Sequence, residues 1–311
     1  MKVFLAVDAG GTKTDLVLVD ETRELVRVRS GTIKRMRVDE QTAARNLDEA
    51  LSELSRRAGI SMRSVIGTCI GTAGDSVPLV VNWLRTAFAE RVSGGLLLLG
   101  DVEIALDAAF PGQSGILVLA GTGSNVAGRT AGGKVSTVGG WGPVLADQGS
   151  GHSIGVATLR ALFLARDGGR PTQLAAAVLE FWKLTSLEEL IAFANAKPAP
   201  DFSRLARLTL SCAESGDAVA AEVLRQEGES LAQLVALMIR RLQQDAESGG
   251  VLPPIAFAGS VMENVLPVRQ ALMQGLRNEF PGIQMLSGVV DPINGAVWRA
   301  RREFSGAPYA S

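Results

Sequence analysis

The chain has 311 residues, of which 31 are lysine or arginine, 32 are aspartate or glutamate and one is histidine. This length predicts two domains, each able to bury a core, and the balanced charge gives no reason to expect a nucleic-acid partner. Cys69 and Cys212 lie far apart among apolar or small residues, which predicts buried, reduced thiols in a cytoplasmic protein. The apolar run before Asp8 is too short for a signal peptide, and no stretch reaches the ~18 apolar residues of a spanning helix, so neither export nor membrane insertion is expected.

The first third of the chain predicts the element order βββαβαβα. Two strands flank the glycine turn "DAGGTKT", and a third strand is expected near 24–30. Apolar residues at helical spacing then predict a helix that ends at Gly59. After it, "SVIGTCIGTAG" and "GLLLLGD" are typical of buried strands, whereas "PLVVNWLRTAFAER" and "VEIALDAAF" are typical of helices.

The pattern starts again at residue 115. "GILVLAGTGS" predicts another strand with a glycine turn, two more strands follow, and helices are predicted over 152–247, one of them over 217–244 with Asp217 as its N-cap. "PPIAFAGSV" predicts a further strand, and "NGAVWRARREF" a closing helix. The repetition predicts a duplicated α/β unit, with a cleft between domains 1–114 and 115–311.

Glycine-rich turns, "DAGGTKT" and "AGTGSN", occupy matching places in the two halves. A structural hairpin explains one such turn about as well as a ligand does. Two of them, with backbone N–H groups and the hydroxyls of Thr12, Thr14, Thr122 and Ser124, favour a polyphosphate held from both sides. The Gly-Lys-Ser/Thr ending of a Walker-type loop is absent.

Two aspartates follow predicted strands, where ligand sites of α/β sheets lie. Asp8 can hold Mg²⁺ through water beside the phosphates, or it can bond to the backbone of its own turn. Asp101 comes after four leucines. It either caps the helix of residues 102–109 or acts as the general base in phosphoryl transfer to a hydroxyl.

The segment "VGGWGPVLADQGSGHSIG", over 138–155, places Trp141 and Asp147 among glycines. A tryptophan in such a loop offers a flat face to a sugar or a base, and the alternative is a core tryptophan. The carboxylate of Asp147 can accept hydrogen bonds from hydroxyls. His152 is the one histidine of the sequence, which excludes a metal cluster built on histidines, and no serine elbow supports a hydrolase triad.

Taken in chain order, six segments resemble the N-acetylglucosamine kinases and the BadF/BadG/BcrA/BcrD ATPases of the actin, Hsp70 and sugar-kinase superfamily. They are "DAGGTKTD", "LGDVEIAL", "LAGTGSN", "GGWGPVLADQGSG", "FAGSV" and "DPINGAVWRA". The resemblance implies an α/β fold of two ribonuclease-H-like, actin-like ATPase domains with a central cleft, in which the last helix can pack back on the N-terminal domain. It also implies an ATP-dependent kinase that acts on the 6-hydroxyl of an amino sugar.

The same resemblance implies roles for individual residues. It makes Asp101 the base and Asp8 the residue that organises Mg²⁺. The residues that would bind ATP are those of the three glycine turns: Gly10, Gly11, Thr12, Lys13, Gly121, Thr122, Gly123, Ser124, Gly259 and Ser260. The residues that would line the sugar pocket are Asn125, Gly140, Trp141, Asp147 and Gly151. Proteins of this group often form homodimers, so a homodimer is one expectation.

One departure from the family pattern bears on the sugar. The amino-sugar kinases usually carry an asparagine after the third strand, whereas this chain reads "SGTIKRMRVDE" there. Either Lys34, Arg35 or Arg37 meets an anionic substituent, such as the lactyl carboxylate of N-acetylmuramic acid, or these residues form a solvated loop. The sequence does not rank glucosamine, N-acetylglucosamine and N-acetylmuramic acid.

Other functions within the same group stay open as alternatives. ATPase activators of dehydratases and reductases need cysteine ligands for a bridging iron–sulfur cluster, and neither Cys69 nor Cys212 lies in a suitable context. A sugar-responsive repressor would need a DNA-binding domain before the first strand, and Asp8 comes too early to leave room for one. A non-catalytic sugar or nucleotide sensor is the remaining alternative.

Overall fold

The computed structural model describes residues 1–75, 77–244 and 250–306. They form two compact units, which we describe separately. The first unit comprises Met1–Gln113 and the C-terminal segment that begins at Val290, and the second comprises Ser114–Val289. The last three residues of the helical region predicted over 152–247 lie outside the described residues.

A five-stranded sheet forms the centre of the first unit, in the order β3–β2–β1–β4–β5. Its strands are β1 (Val3–Ala9), β2 (Lys13–Val19), β3 (Glu24–Gly31), β4 (Val65–Thr72) and β5 (Gly95–Leu99). The first three strands form antiparallel hairpins, whereas β1, β4 and β5 run parallel. Asp8 pairs with Gly71, and Gly71 pairs with Leu99, so these three strands end at the same edge of the sheet.

Helices cover both faces of this sheet. They are α1 (Glu40–Ala58), α2 (Pro78–Arg91), α3 (Asp101–Ala109) and α11 (Ile293–Phe304). The α1 helix begins at Asp39, whose side chain accepts the Thr42 N–H, and ends at Gly59 with φ of 67°. The βββαβαβα order predicted from the sequence is therefore confirmed.

The α11 helix packs very closely against α3. A Cβ atom at Gly295 would lie 1.7 Å from the carbonyl oxygen of Ile104, so only glycine fits at this crossing. An ion pair between Arg299 and the fully buried Asp107 lies further along the same two helices. Because α3 begins at Asp101, these contacts fix the helix that carries a candidate site residue.

The second unit repeats the opening pattern of the first around a smaller sheet. Its strands are β6 (Gly115–Ala120), β7 (Ser124–Arg129), β8 (Val135–Val138) and β9 (Ile255–Ala258), in the order β8–β7–β6–β9. The β6–β7 hairpin closes with Ala120 opposite Ser124, as β1–β2 closes with Ala9 opposite Thr14. The β9 strand runs parallel to β6.

Seven helices of the described residues belong to the second unit. They are α4 (Gly151–Asp167), α5 (Leu174–Trp182), α6 (Leu187–Ala194), α7 (Leu205–Glu214), α8 (Ala218–Gln243), α9 (Ser260–Asn264) and α10 (Leu266–Glu279). The predicted N-cap of α8 is confirmed, since Asp217 accepts the N–H groups of Val219 and Ala220. The sequence analysis did not predict α9 and α10.

Both cysteines are free and buried, as predicted. Burial raises the pKa of the Cys69 thiol to about 12, so this thiol stays protonated and unreactive near neutral pH. No helix among the described residues is long and apolar enough to cross a bilayer.

Candidate functional site

The strand register brings Asp8 and Asp101 to one edge of the first sheet. Asp8 is the sixth of the seven residues of β1, and Asp101 begins α3 two residues after the end of β5. Asp101 does not cap α3 in the usual way, because Gly100 occupies the N-cap position. Its carboxylate instead accepts the N–H of the next residue, Val102, at 2.9 Å.

The Asp8 carboxyl group has more negative than positive charges near it. Its pKa is raised to about 7. Burial is the largest cause, and the negative charges of Asp101, Asp15 and Asp291 add to it, while Lys13 acts in the opposite direction. A cation at this edge would relieve the repulsion among these carboxylates.

Asp101 has the electrostatics expected of a general base. Burial raises its pKa above the usual carboxyl range, and the charge of Asp75 adds to the effect. The Val102 N–H and the positive charge of Lys34 act in the opposite direction. A carboxylate with a raised pKa is a stronger proton acceptor than a free aspartate, as general base catalysis requires.

The residues after β3 are not uniformly solvated. Lys34 is half-buried, its pKa is lowered by burial, and Asp101 opposes that shift. Arg35 donates to the Val38 carbonyl and to Glu40. Only Arg37 of the three basic residues is exposed. The solvated-loop alternative is therefore wrong for Arg35, whereas Lys34 is half-buried.

The first glycine turn, residues 10–13, presents its backbone to solvent. Gly11, Thr12 and Lys13 are exposed. Thr14 is fully buried and its hydroxyl accepts the Ile33 N–H, so the prediction that this hydroxyl contacts phosphate is wrong. A Cβ atom at Gly10 would lie 2.9 Å from the Lys13 carbonyl oxygen, so the turn is too tight for a side chain there. The Thr32 hydroxyl donates to the Gly10 carbonyl at 2.7 Å and anchors the turn to the end of β3.

The second glycine turn, residues 121–124, is tied to the start of α4. The Gly151 N–H donates to the Gly121 carbonyl at 2.7 Å, and the His152 N–H donates to the Thr122 carbonyl at 3.2 Å. Thr122 and Gly123 are exposed. Backbone hydrogen bonds thus hold the turn in place while its tip faces solvent.

A groove of about 650 Å³ opens beside this turn, between α7 and α9. We refer to it as the α7–α9 groove. Four predicted site residues line it, Gly121, Thr122, Gly151 and Ser260. Its apolar lining comes from Ala206, Leu210, Val261 and Val265. A cleft with an apolar lining and a glycine turn at its side suits a flat ring that carries an anionic chain.

The position of Gly259 explains why a glycine is needed next to this groove. Its φ is +94°, and a Cβ atom there would lie 2.3 Å from the carbonyl oxygen of Ala120. The close approach of β9 to the end of β6 places Ser260, the first residue of α9, beside Gly121. The glycine turns after these two strands therefore lie side by side.

Asp147 holds a second cluster of predicted residues together. One carboxylate oxygen accepts the Ser124 N–H at 2.6 Å, and the other accepts the Ser150 hydroxyl at 2.7 Å. Ser150 is the N-cap of α4. Asp147 therefore connects the second glycine turn to this helix, in addition to any role towards a ligand.

Asn125 and Gly140 lie next to each other in this cluster. Gly140 has a φ of +70°, and a Cβ atom there would lie 2.9 Å from Cγ of Asn125. The Oδ1 atom of Asn125 is buried and has no hydrogen-bond partner in the described part of the chain. Buried polar atoms are normally satisfied, so an unpaired acceptor indicates a place for a ligand donor or a water molecule.

Trp141 is 71 % exposed, which rules out the alternative of a core tryptophan. The large side chains of Val144 and Leu145 in the same loop are exposed as well. His152 makes an edge contact with Phe202, at 5.5 Å between ring centroids. No group of three or more possible metal ligands occurs among the described residues.

The sequence analysis missed the apolar lining of the groove and also five polar residues. The polar residues are Ser203, Arg207, Ser211, Glu214 and Asn264. Positions 207, 211 and 214 are spaced as on one face of a helix, so a polar stripe on α7 was visible in the sequence. Such a stripe normally marks a solvent-facing surface, and only the packing of α9 opposite makes it one wall of a groove.

A family model described as the BadF/BadG/BcrA/BcrD ATPase family matches residues 5–300 of the chain. A curated relative from Clostridium acetobutylicum, an N-acetylmuramic acid/N-acetylglucosamine kinase, is 28 % identical, with 97 % of this chain and 99 % of the relative covered. The family resemblance inferred from the sequence is therefore confirmed.

Two solved structures share the fold. A candidate N-acetylglucosamine kinase from Chromobacterium violaceum is 26 % identical with a TM-score of 0.74, over 96 % of this chain and 98 % of that one. A ROK hexokinase from Thermus thermophilus is 18 % identical with a TM-score of 0.59, over 97 % and 99 %. These similarities confirm the predicted α/β class with two ribonuclease-H-like domains.

Proposed function

The chain belongs to the BadF/BadG/BcrA/BcrD ATPase family, and we propose that it is an ATP-dependent kinase that phosphorylates the 6-hydroxyl of an amino sugar. The observation that carries the proposal is the position of Asp101. Its carboxylate stands at the carboxyl edge of a parallel sheet, with a pKa raised by burial. Sugar kinases among the similar proteins support the reaction class.

The α7–α9 groove is the proposed nucleotide site. Gly259 and Ser260 lie beside the nucleoside, and the N–H groups of Thr122 and Gly123 with the Thr122 hydroxyl bind phosphate oxygens. The predicted contact from the Ser124 hydroxyl is not part of this proposal, because Ser124 is buried and its hydroxyl donates to the Gln148 carbonyl. The first glycine turn, Gly10 to Lys13, is proposed to bind phosphate through its exposed N–H groups, the Thr12 hydroxyl and the Lys13 ammonium.

The sugar pocket is proposed around the cluster at Asn125. The buried Oδ1 atom of Asn125, which has no hydrogen-bond partner among the residues that the structure describes, accepts a sugar hydroxyl or amide N–H. The Oδ1 atom of Asp147 accepts the N–H and the hydroxyl of Ser124, whereas Oδ2 accepts one hydrogen bond, from Ser150, and has a second lone pair for a sugar hydroxyl. Gly140, Trp141 and Gly151 complete the proposed pocket.

In the proposed reaction, the Asp101 carboxylate accepts the proton of the sugar 6-hydroxyl. The sugar oxygen forms a bond to the γ-phosphorus of ATP as the bond between that phosphorus and the bridging oxygen breaks. ADP leaves, and the γ-phosphoryl group is then on the sugar. Alignment and charge neutralisation supply most of the rate, and the base supplies the rest.

Asp8 fits a magnesium ion bound through water. Burial and the charges of three neighbouring carboxylates raise the pKa of Asp8, and the charge of Lys13 opposes this shift. Mg²⁺ keeps several waters and takes one or two carboxylates, so a three-ligand cage is not needed. When bound, the ion would neutralise charge on the phosphates of ATP. The residue of the chain proposed to hold it is Asp8.

Stability should depend on pH through Asp8. The carboxyl group ionises near pH 4 in the unfolded chain and near pH 7 in the folded protein. Between these values the folded state binds the additional proton, so the free energy of unfolding falls as the pH rises. Asp8→Asn should remove this part of the pH dependence. Excess Mg²⁺ should raise the Tm of the wild type more at about pH 8 than at about pH 6, and should not raise that of the variant.

Thermal melts at both pH values, with and without Mg²⁺, measure these effects. Asp48→Asn is the matched control, because this carboxylate is exposed on α1 and lies outside the site. It should retain the Mg²⁺-dependent change in Tm. If Mg²⁺ changed the Tm of Asp8→Asn as much as that of the wild type, Asp8 would not be the residue that holds the metal ion.

The proposed function is tested by coupled ADP release with Mg-ATP. The acceptors are N-acetylglucosamine, glucosamine, N-acetylmuramic acid and glucose, with a blank that contains no sugar. Release that depends on an amino sugar is expected, and analysis of the product identifies the phosphorylated hydroxyl. Release in the blank alone, or in no sample, would contradict the proposal and favour an ATPase activator or a sensor.

The structure offers no support for the activator alternative. Cys69 is fully buried within the sheet of the first unit, and Cys212 is buried on α7. A bridging cluster needs thiolate ligands that reach a subunit interface. Neither thiol can serve without unfolding its surroundings.

A further inference from the structure

Among the described residues that line the α7–α9 groove, Arg207 has the one cationic side chain. It lies in the first turn of α7 and is exposed. Its guanidinium forms no ion pair or hydrogen bond with any residue that the structure describes. An arginine that faces a cleft with its donors free is suited to bind phosphate, since its planar fork matches phosphate oxygens.

The packing around α7 shows which end of the groove lies next to the second glycine turn. The Gly151 Cα is close to both Ser203 and Gly121, because a Cβ atom there would lie 3.2 Å from the Cβ of the first and 3.2 Å from the carbonyl oxygen of the second. Ser203 comes just before α7 in the chain. The start of α7 is therefore next to the second glycine turn, and its end is further away.

Two charged residues of the groove lie near opposite ends of α7. Arg207 lies one turn from Ser203, and Glu214 is the last residue of the helix. Seven residues at 1.5 Å each separate Arg207 from Glu214 by ~10 Å along the helix axis. The cation is therefore close to the phosphate-binding turn, and the carboxylate stands at the far end, where the phosphates would be repelled.

On these grounds we infer that Arg207 is a nucleotide-binding residue whose guanidinium contacts the phosphate nearest the ribose. The glycine turn then holds the rest of the phosphate chain, and the apolar lining at Leu210 and Val265 takes the base. This inference rests on the proposed nucleotide site. It adds a residue and an orientation that the three glycine turns do not provide.

The test compares binding of ADP, AMP and adenosine to Arg207→Ala and to the wild type, by competition against a fluorescent ATP analogue. Loss of one charge-assisted contact should weaken ADP and AMP about tenfold each and leave adenosine unchanged. Arg207→Lys should recover part of the loss. The Tm of Arg207→Ala should equal that of the wild type, because the side chain is exposed.

Arg204→Ala is the matched control. This arginine is also exposed and lies three residues away, but its guanidinium stacks over the Phe181 ring at 5.1 Å and does not line the groove. Its nucleotide affinities should equal those of the wild type.

Three results would overturn the inference while leaving the proposed function intact. They are unchanged ADP and AMP affinities in Arg207→Ala, a loss that affects ADP but not AMP, and an equal loss for adenosine. A wild-type protein that binds none of the nucleotides would instead contradict the proposed nucleotide site, and this inference with it. The binding assay contains no sugar, so its results do not depend on which sugar the protein phosphorylates.

Discussion

Replacement of Asp101 by asparagine is expected to lower kcat by about 10²–10⁴-fold, since asparagine cannot accept the proton of the sugar hydroxyl. The KM for ATP should change little, because the proposed phosphate and nucleoside contacts come from the glycine turns and the α7–α9 groove. The side chains have nearly the same shape, so the fold should be retained. Steady-state ADP release with varied ATP and varied sugar measures these constants.

Asp75→Asn is the matched control for Asp101→Asn. Asp75 is exposed, and its charge contributes to the raised pKa of Asp101. Removing that charge should lower the pKa of Asp101 slightly and move the acidic limb of the kcat profile to lower pH, with kcat at the plateau unchanged. If Asp101→Asn kept a rate near that of the wild type, Asp101 would not be the base.

Gly295→Ala is expected to be the most damaging small substitution in the first unit. The new Cβ atom would lie 1.7 Å from the carbonyl oxygen of Ile104 and 2.7 Å from the backbone nitrogen of Ala108. Neither backbone atom can move without displacing α3, so we expect a loss of about 3 kcal/mol in the free energy of unfolding. Any protein that still folds should have a reduced kcat, because α3 carries Asp101.

Denaturant unfolding measures the loss of stability, with Asn294→Ala as the matched control. Asn294 is exposed on the same helix, one residue before the crossing. It should unfold within about 0.5 kcal/mol of the wild type, as surface substitutions usually do. Equal stability of Gly295→Ala and the wild type would mean that α3 and α11 do not cross this closely.

Much of the secondary structure followed from local patterns in the sequence. The run of leucines before Asp101 predicts a strand, which is β5, but the prediction that this strand is buried is wrong, because β5 is the edge strand of its sheet and its leucines are only half-buried. The predicted end of α1 at Gly59 is confirmed. These signals act within a few residues along the chain. They depend on hydrogen bonds and burial that each segment makes for itself, which is why the sequence is sufficient to predict them.

The candidate site was predicted in part. Residues next to glycine turns were found, because a tight turn requires glycine and marks where a strand ends. The polar wall of α7 was missed, since Arg207 and Glu214 have the pattern of an ordinary solvent-facing helix. The sequence also did not decide whether Lys34 is solvated, because its burial and its proximity to Asp101 depend on segments distant in the chain.

By itself, the sequence determined the α/β class, the family, the two glycine turns and the aspartates at strand ends. Each of these depends on residue identity at short spacing along the chain. Only the tertiary structure decided that Gly295 permits the contact between α3 and α11, that Asp147 links the second glycine turn to α4, and that Arg207 faces a groove. These features depend on pairs of segments that pack together in space, and such pairs leave no short-range pattern in a single sequence.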